Sequence, residues 1–285
     1  MVPCNVVEFK TPKGFDLTGL WYGPRKPQRV VIFIHGLTGS VFSTFPRILA
    51  PHIADRKTAV LTFNNRGYGI VNKVYKADVE SQKASKRIIA GSAHEKFTDC
   101  VDDIQGALDF AKKTSGGKVY LVGHSTGCQK SVYWAYKKKS RGVKGIILLA
   151  PVSDHAVAQG RNDLKGLVRY ARDLVKQDKA HQLIKGEIYD AQRLLSLYTP
   201  DSPEELFTYV QPTKQPRILR SVRVPILVLW AAEDEYNDRP VALITDWFGQ
   251  NIRSYHRIVV VPRAKHSFKG VEKTVAREIR NFIDS

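Results

Sequence analysis

Cysteine is scarce: Cys4, Cys100 and Cys128 are the only three in 285 residues, widely spaced and without a CxxC pair. That excludes a small disulfide-stapled scaffold and fits a reducing cytoplasm. Long apolar runs are missing too. Stretches such as Val30–Ile34 and Gly145–Ala150 fall far short of the roughly 18 residues that cross a bilayer, so no membrane partner is expected. Met1–Lys10 has neither the basic leader nor the apolar core of a secretory signal, so a cytoplasmic location is expected. There is no HExxH motif and no clustered ligand spacing, so neither a metal nor another cofactor is expected. Internal repeats and low-complexity segments are absent, which excludes solenoid architectures.

Negative charge is in short supply: 27 Asp+Glu face 45 Lys+Arg, a formal charge of +18. Such an excess raises the question of a polyanionic partner, because Lys and Arg gain affinity by releasing phosphate counterions. The distribution argues against nucleic acid. Basic residues are spread along the chain, and the densest run, Lys137-Lys138-Lys139-Ser140-Arg141, falls where a helix should end and cations complement its dipole. A solvated basic surface is the better reading.

The chain does hold enough apolar material, 43% of residues, to bury a sizeable core. Short β-branched runs occur at Val30–Ile34, Ala59–Phe63, Lys118–Val122, Gly145–Leu149, Ile226–Trp230 and Arg257–Val261. Helical patterns alternate with them, which predicts a βαβ architecture with a buried parallel sheet. Asn5–Phe9 and Leu17–Tyr22 precede the first helix and are expected as an antiparallel edge, making about eight strands. Ser92-Ala93-His94-Glu95 matches a capping box, with helical spacing after it at Phe97, Val101, Ile104, Leu108 and Ala111. Between residues 155 and 221 strand signals vanish. Leu164, Leu167, Val168, Ala171, Leu174 and Val175 mark one helix face there, and Pro200, Pro203, Pro212 and Pro216 interrupt any long helix after it. The expected organisation is therefore a core of residues 1–154 and 222–285 with a helical cap inserted at 155–221.

One constellation carries chemistry. After the strand-like Val119–Val122 comes Gly123-His124-Ser125-Thr126-Gly127, and then a helical run, Cys128–Lys139. A strand-to-helix turn this sharp strains its middle residue and needs flanking glycines for close packing, so Ser125 is the candidate nucleophile. A serine hydroxyl needs a general base within hydrogen-bond reach and a third group to orient that base. His266, just beyond the last strand-like run, is the candidate base. The other seven histidines are expected to be surface or packed side chains. Asp234, in Glu233-Asp234-Glu235 after the penultimate strand, is the candidate acid, with Asp154 as its rival and Glu233 and Glu235 as solvated charges. The Gly-rich loop His35-Gly36-Leu37-Thr38-Gly39 comes after another strand. The Leu37 and Thr126 amides are the candidate oxyanion donors. Tyr170, Tyr189, Tyr198, Phe207 and Tyr209, with Arg161, Arg169 and Arg172, could line a pocket or simply pack.

The HG loop, Phe63-Asn64-Asn65-Arg66-Gly67-Tyr68-Gly69, the GHSTG turn and the chain order Ser125, Asp234, His266 resemble the α/β-hydrolase superfamily over nearly the whole chain. More narrowly, GHSTGCQ and APVSD resemble a group that includes fungal siderophore ester hydrolases, with capped feruloyl-type esterases as neighbours. Many relatives carry Asp where this chain has Asn64, so roles of that carboxylate do not transfer. The resemblance implies an α/β-hydrolase fold and cofactor-free hydrolysis of a small-molecule carboxylic ester. The same residues would serve amide, thioester or C–C hydrolysis, or acyl transfer. A low-turnover ligand-binding relative and a basic scaffold stay open, as does the oligomeric state.

Overall fold

A computed structural model describes residues 2–77 and 86–285; Met1 and 78–85, which the expected core also includes, lie outside the described residues. Ten strands are present: β1 (Cys4–Lys10), β2 (Asp16–Tyr22), β3 (Arg29–Ile34), β4 (Thr58–Phe63), β5 (Asn72–Lys76), β6 (Lys86–Ala90), β7 (Lys118–His124), β8 (Gly145–Leu149), β9 (Ile226–Ala231) and β10 (His256–Val261), counted among the described residues. Eight form one sheet in the order β1-β2-β4-β3-β7-β8-β9-β10. The β1–β2 and β2–β4 pairs are antiparallel and the rest parallel, as the sequence led us to expect. The small antiparallel sheet β5–β6 was not anticipated. Its strands are only five residues long and show little period-two alternation.

Nine α-helices surround the strands: α1 (Thr44–Ile53), α2 (Cys100–Ser115), α3 (Thr126–Lys138), α4 (Asp154–Ala158), α5 (Leu164–Lys176), α6 (Ala191–Tyr198), α7 (Arg217–Ser221), α8 (Val241–Asn251) and α9 (Glu272–Asp284), again among the described residues. The period of two along each central strand divides the core. Val30, Ile32, Leu61, Leu121, Ile146, Leu148 and Val228 face α2, α3 and α8. Val31, Phe33, Val60, Val122, Ile147, Leu149 and Leu229 face α1 and α9. Both faces are buried, which is why these strands read as continuous apolar runs instead of alternating ones.

The capping box at Ser92–Glu95 is not one. Helix α2 starts only at Cys100, after a 3₁₀ turn at Phe97–Asp99. Ser92 Oγ instead donates to the Gly67 carbonyl at 2.8 Å and accepts from the Thr38 amide at 2.7 Å. Glu95 is buried against Lys130 Nζ at 2.6 Å. Distant partners have taken both side chains from the local cap.

Helices α4 to α7 and their loops lie between the adjacent strands β8 and β9. Only Ala171 and Leu174 of the expected α5 face are buried; Val175 is exposed. Ala171 and Leu174 join a separate cluster with Ile184, Tyr189, Leu194 and Leu197, against which Leu167, Val168 and Leu37 pack partly. Farther along, Leu206, Phe207, Tyr209 and Leu219 join the main core. Beneath these helices Arg193, 0% exposed, pairs with Glu204 and lies 3.1 Å from Glu95, which also holds the 0% exposed Lys130. This chain of buried charges ties the inserted helices to α3. Removing one member of such a network leaves an uncompensated charge, so Arg193→Ala is expected to cost about 3–5 kcal/mol in urea unfolding. A loss below about 0.5 kcal/mol, the range of ordinary surface substitutions, would show the pairing to be idle.

Candidate active site

The turn between β7 and α3 is made in a single residue. Ser125 sits there at φ 55° and ψ −129°, a region costly for any side chain. Its amide donates to Leu149 O at 3.0 Å and its carbonyl accepts from Cys128 N at 2.8 Å, so the strain is held by neighbours on both sides. Three glycines make room. A Cβ on Gly123 would strike the Gly127 carbonyl, one on Gly127 would strike the Ile34 carbonyl, and one on Gly36 would come within 2.7 Å of Ser125 Cβ and 3.2 Å of Ser125 Oγ. The HG loop therefore lies directly against the candidate nucleophile.

Asp234 and His266 meet. His266 Nδ1–H donates to Asp234 Oδ2 at 2.9 Å, and the Asp234 side chain is fully buried. Asp234 Oδ1 accepts from Tyr236 N at 3.0 Å, so both carboxylate oxygens are engaged. With Nδ1 protonated, Nε2 is left as an acceptor. The rival acid, Asp154, does not pair with His266; it lies at the start of α4. The His266 loop is tied to the turn at Ser125 through the preceding residue: His124 Nε2–H donates to the His266 carbonyl at 2.9 Å. Burial, with the neighbouring His266, pushes the His124 pKa down to about 3, so this ring stays a neutral donor.

Three contributors were not legible in the sequence. His124 was expected to be a surface or packed side chain. Glu235 was expected to be a solvated charge; it is exposed, yet its Oε2 accepts from the His266 amide at 2.9 Å. The Tyr236 ring stands edge-on to the His266 ring, centroids 4.7 Å apart. These partners are roughly thirty residues or more apart along the chain, and no local pattern announces such pairings.

Of the expected oxyanion donors, neither the Leu37 nor the Thr126 amide donates to another protein group among the described residues. Thr126 opens α3, where the first amides of a helix lack intrahelical acceptors. Asn64 Oδ1 accepts from the Val41 amide at 2.9 Å, a support for the HG loop that an aspartate could also give.

A cavity of about 320 Å³ adjoins this region, lined by Leu37, Asp154, Arg161, Tyr189, Tyr198 and Tyr236 among others. Ser125, Asp234 and His266 are not in its lining, nor in that of a larger cavity, about 570 Å³, beside strands β5 and β6. The expected pocket residues divide accordingly. Tyr189, Tyr198 and Arg161 reach the smaller cavity; Phe207 and Tyr209 are buried in the core, and Tyr170, Arg169 and Arg172 face solvent. Arg161 is already matched by Asp163 at 2.9 Å and Glu187 at 2.6 Å. Burial, reinforced by Glu204, raises the Asp154 carboxyl to about 8, and its Oδ2 is buried without a hydrogen-bond partner among the described residues. The pocket thus offers tyrosines, a compensated arginine and a carboxyl that is neutral at pH 7.

The sequence profile of the family described as "Protein of unknown function (DUF1749)" matches residues 22–283. No curated protein matches the chain in sequence. Among solved structures, the chain is similar to siderophore hydrolase EstB from Aspergillus fumigatus, with TM-score 0.62, 18% identity and 94% of each chain covered. It is similar to Est1E from Butyrivibrio proteoclasticus with ferulic acid bound, with TM-score 0.60, 17% identity, and 97% of this chain and 98% of that one covered. It is also similar to a thermostable carboxyl esterase from Bacillus coagulans in complex with glycerol, with TM-score 0.64, 15% identity, and 100% and 99% covered. At these identities the likeness speaks for the fold.

Asp154 has a stability consequence. Its pKa is 3.8 in an open chain and about 8 in the fold, so the folded state binds the proton more tightly. Its contribution is complete below the lower value and is lost as pH rises toward and through the upper one. Between mildly acidic and mildly alkaline pH, the melting temperature of Asp154→Asn should therefore fall less than that of the wild type. Parallel melting profiles would refute the shift.

Proposed function

The chain belongs to the DUF1749 family and has the α/β-hydrolase fold, and on that footing we propose that it hydrolyses carboxylic esters of small molecules through an acyl-enzyme on Ser125. The observation that carries this reading is the 2.9 Å bond between His266 and a fully buried Asp234, on a loop fastened to the strained turn that presents Ser125. That two of the similar solved structures are titled a siderophore hydrolase and a carboxyl esterase supports the choice of reaction.

In the proposed mechanism His266 Nε2 removes the Ser125 hydroxyl proton as Oγ attacks the ester carbonyl. Asp234 holds the ring with Nδ1–H toward itself and stabilises the imidazolium that forms. The carbonyl oxygen becomes an oxyanion received by the Leu37 and Thr126 amides, which have no competing acceptor among the described residues. Return of the proton from Nε2 to the alkoxy oxygen expels the alcohol and leaves the acyl group on Oγ. Water, deprotonated by the same nitrogen, then attacks the acyl carbonyl, releases the acid and restores Ser125. Two preorganised donors stabilise the oxyanion more than the ground-state carbonyl, and loss of one donor typically costs about 100- to 1000-fold.

Residues 1–154 and 222–285 form the proposed hydrolase core, with 155–221 as a cap. The cluster of α5 and α6 against Leu37, and the cap tyrosines in the 320 Å³ cavity, support that division. The substrate pocket is the space between cap and HG loop.

Short-chain p-nitrophenyl esters test the assignment. Ser125→Ala and His266→Ala should lower kcat by about 10³- to 10⁶-fold, and Asp234→Asn by about 10⁴-fold, with folding preserved by circular dichroism. Hydrolysis by Ser125→Ala at the wild-type rate would refute the nucleophile.

A further inference from the structure

Outside the Ser125 site, three ligand atoms from distant parts of the chain converge. His94 lies in the core loop between β6 and α2, His181 in the loop between α5 and α6, and Asp190 directly precedes α6. His94 Nδ1 is 2.9 Å and His181 Nδ1 3.0 Å from the same oxygen, Asp190 Oδ2. All three atoms lie within 4.8 Å of one another. The other carboxylate oxygen, Oδ1, is committed to capping α6 through the Arg193 amide at 2.7 Å. The two segments are already docked by their backbones, since Asp190 N donates to Ala93 O at 2.9 Å.

The charge balance at this point is unusual. The Asp190 side chain is 0% exposed, and among the described residues its only ion-pair partners are these two imidazoles. As hydrogen bonds alone, the contacts require both rings to carry a proton on Nδ1 and to share one oxygen, while His181 stays 73% exposed and gains little else. With neutral rings that present bare Nδ1 lone pairs, the same three atoms form an N₂O set facing one point.

We propose that His94, His181 and Asp190 bind one divalent cation of the zinc class, clipping the helical insertion to the core. Two imidazole nitrogens and one carboxylate oxygen suit Zn²⁺ and its transition-metal neighbours; Ca²⁺ and Mg²⁺ prefer all-oxygen sites. With metal–ligand bonds of about 2.0–2.1 Å, tetrahedral ligands stand about 3.3 Å apart, so the pairs at 2.9 and 3.0 Å need open only slightly. The exposed His181 can make that movement. Both histidines line the 570 Å³ cavity, which gives the ion an approach and leaves its fourth position to water. None of the three residues belongs to the Ser125 site, so this proposal stands apart from the esterase reading.

The test is calorimetric titration of chelator-treated full-length protein with Zn²⁺ alone, alongside thermal melting with and without the ion. One equivalent should bind saturably and raise the melting temperature, and Co²⁺ in its place should give the visible absorption of four-coordinate cobalt. His181→Ala, at an exposed position, should fold normally and bind at least about tenfold more weakly. His94→Ala should behave likewise, and His52→Ala, remote from the cluster, should bind as wild type. The proposal is overturned by the absence of saturable binding, by unchanged affinity in folded His181→Ala, or by Mg²⁺ competing equally.

Discussion

A peptide chain that passes from a central strand into a helix within one residue must store strain there, and the rest of this molecule is arranged to hold it. Ser125 takes a positive φ because β7 and α3 leave no room for a gentler turn. That geometry lifts its side chain out of the backbone path and aligns the first amides of α3 beside it. It persists because Gly36, Gly123 and Gly127 let three backbones approach more closely than any side chain would allow. The strands beneath are buried on both faces, so the turn cannot relax without moving the core. Strain of about 1–3 kcal/mol at one residue is small against that packing.

Redundant contacts likewise fix the imidazole. His266 is held by its ring, amide and carbonyl, each to a different partner: Asp234, Glu235 and His124. A ring so constrained is held in one orientation, which is what the proposed proton transfer requires. His124 is a neutral donor to that carbonyl because burial keeps its ring uncharged; a protonated imidazole there would repel the imidazolium that the proposed mechanism forms on His266.

Two kinds of fastening join the inserted helices to the core. One is buried and charged, running from Lys130 through Glu95 to Arg193 and Glu204. The other is the His94–His181–Asp190 cluster at its margin. Because the insertion also contributes Tyr189, Tyr198 and Arg161 to the cavity above Leu37, whatever sets its position sets the shape of the pocket.

The sequence alone determined the central strands, their mixed arrangement, the sharp turn at Ser125 and the helical stretch between β8 and β9. Each of those is written locally, in runs of β-branched residues, in the spacing of glycines, or in a helical period. It also put forward Asp234 and His266, because a carboxylate and a histidine after the last two strands of such a sheet fall at the same sheet end as the turn. The capping box at Ser92 failed because hydroxyl and carboxylate found Gly67 and Lys130, partners that no nearby spacing records. Glu235, His124, the neutral Asp154 and the His94–His181–Asp190 cluster became visible only in the tertiary structure. Hydrogen bonds, desolvation and ligand convergence depend on distances through space, and folding sets those between residues far apart in the chain.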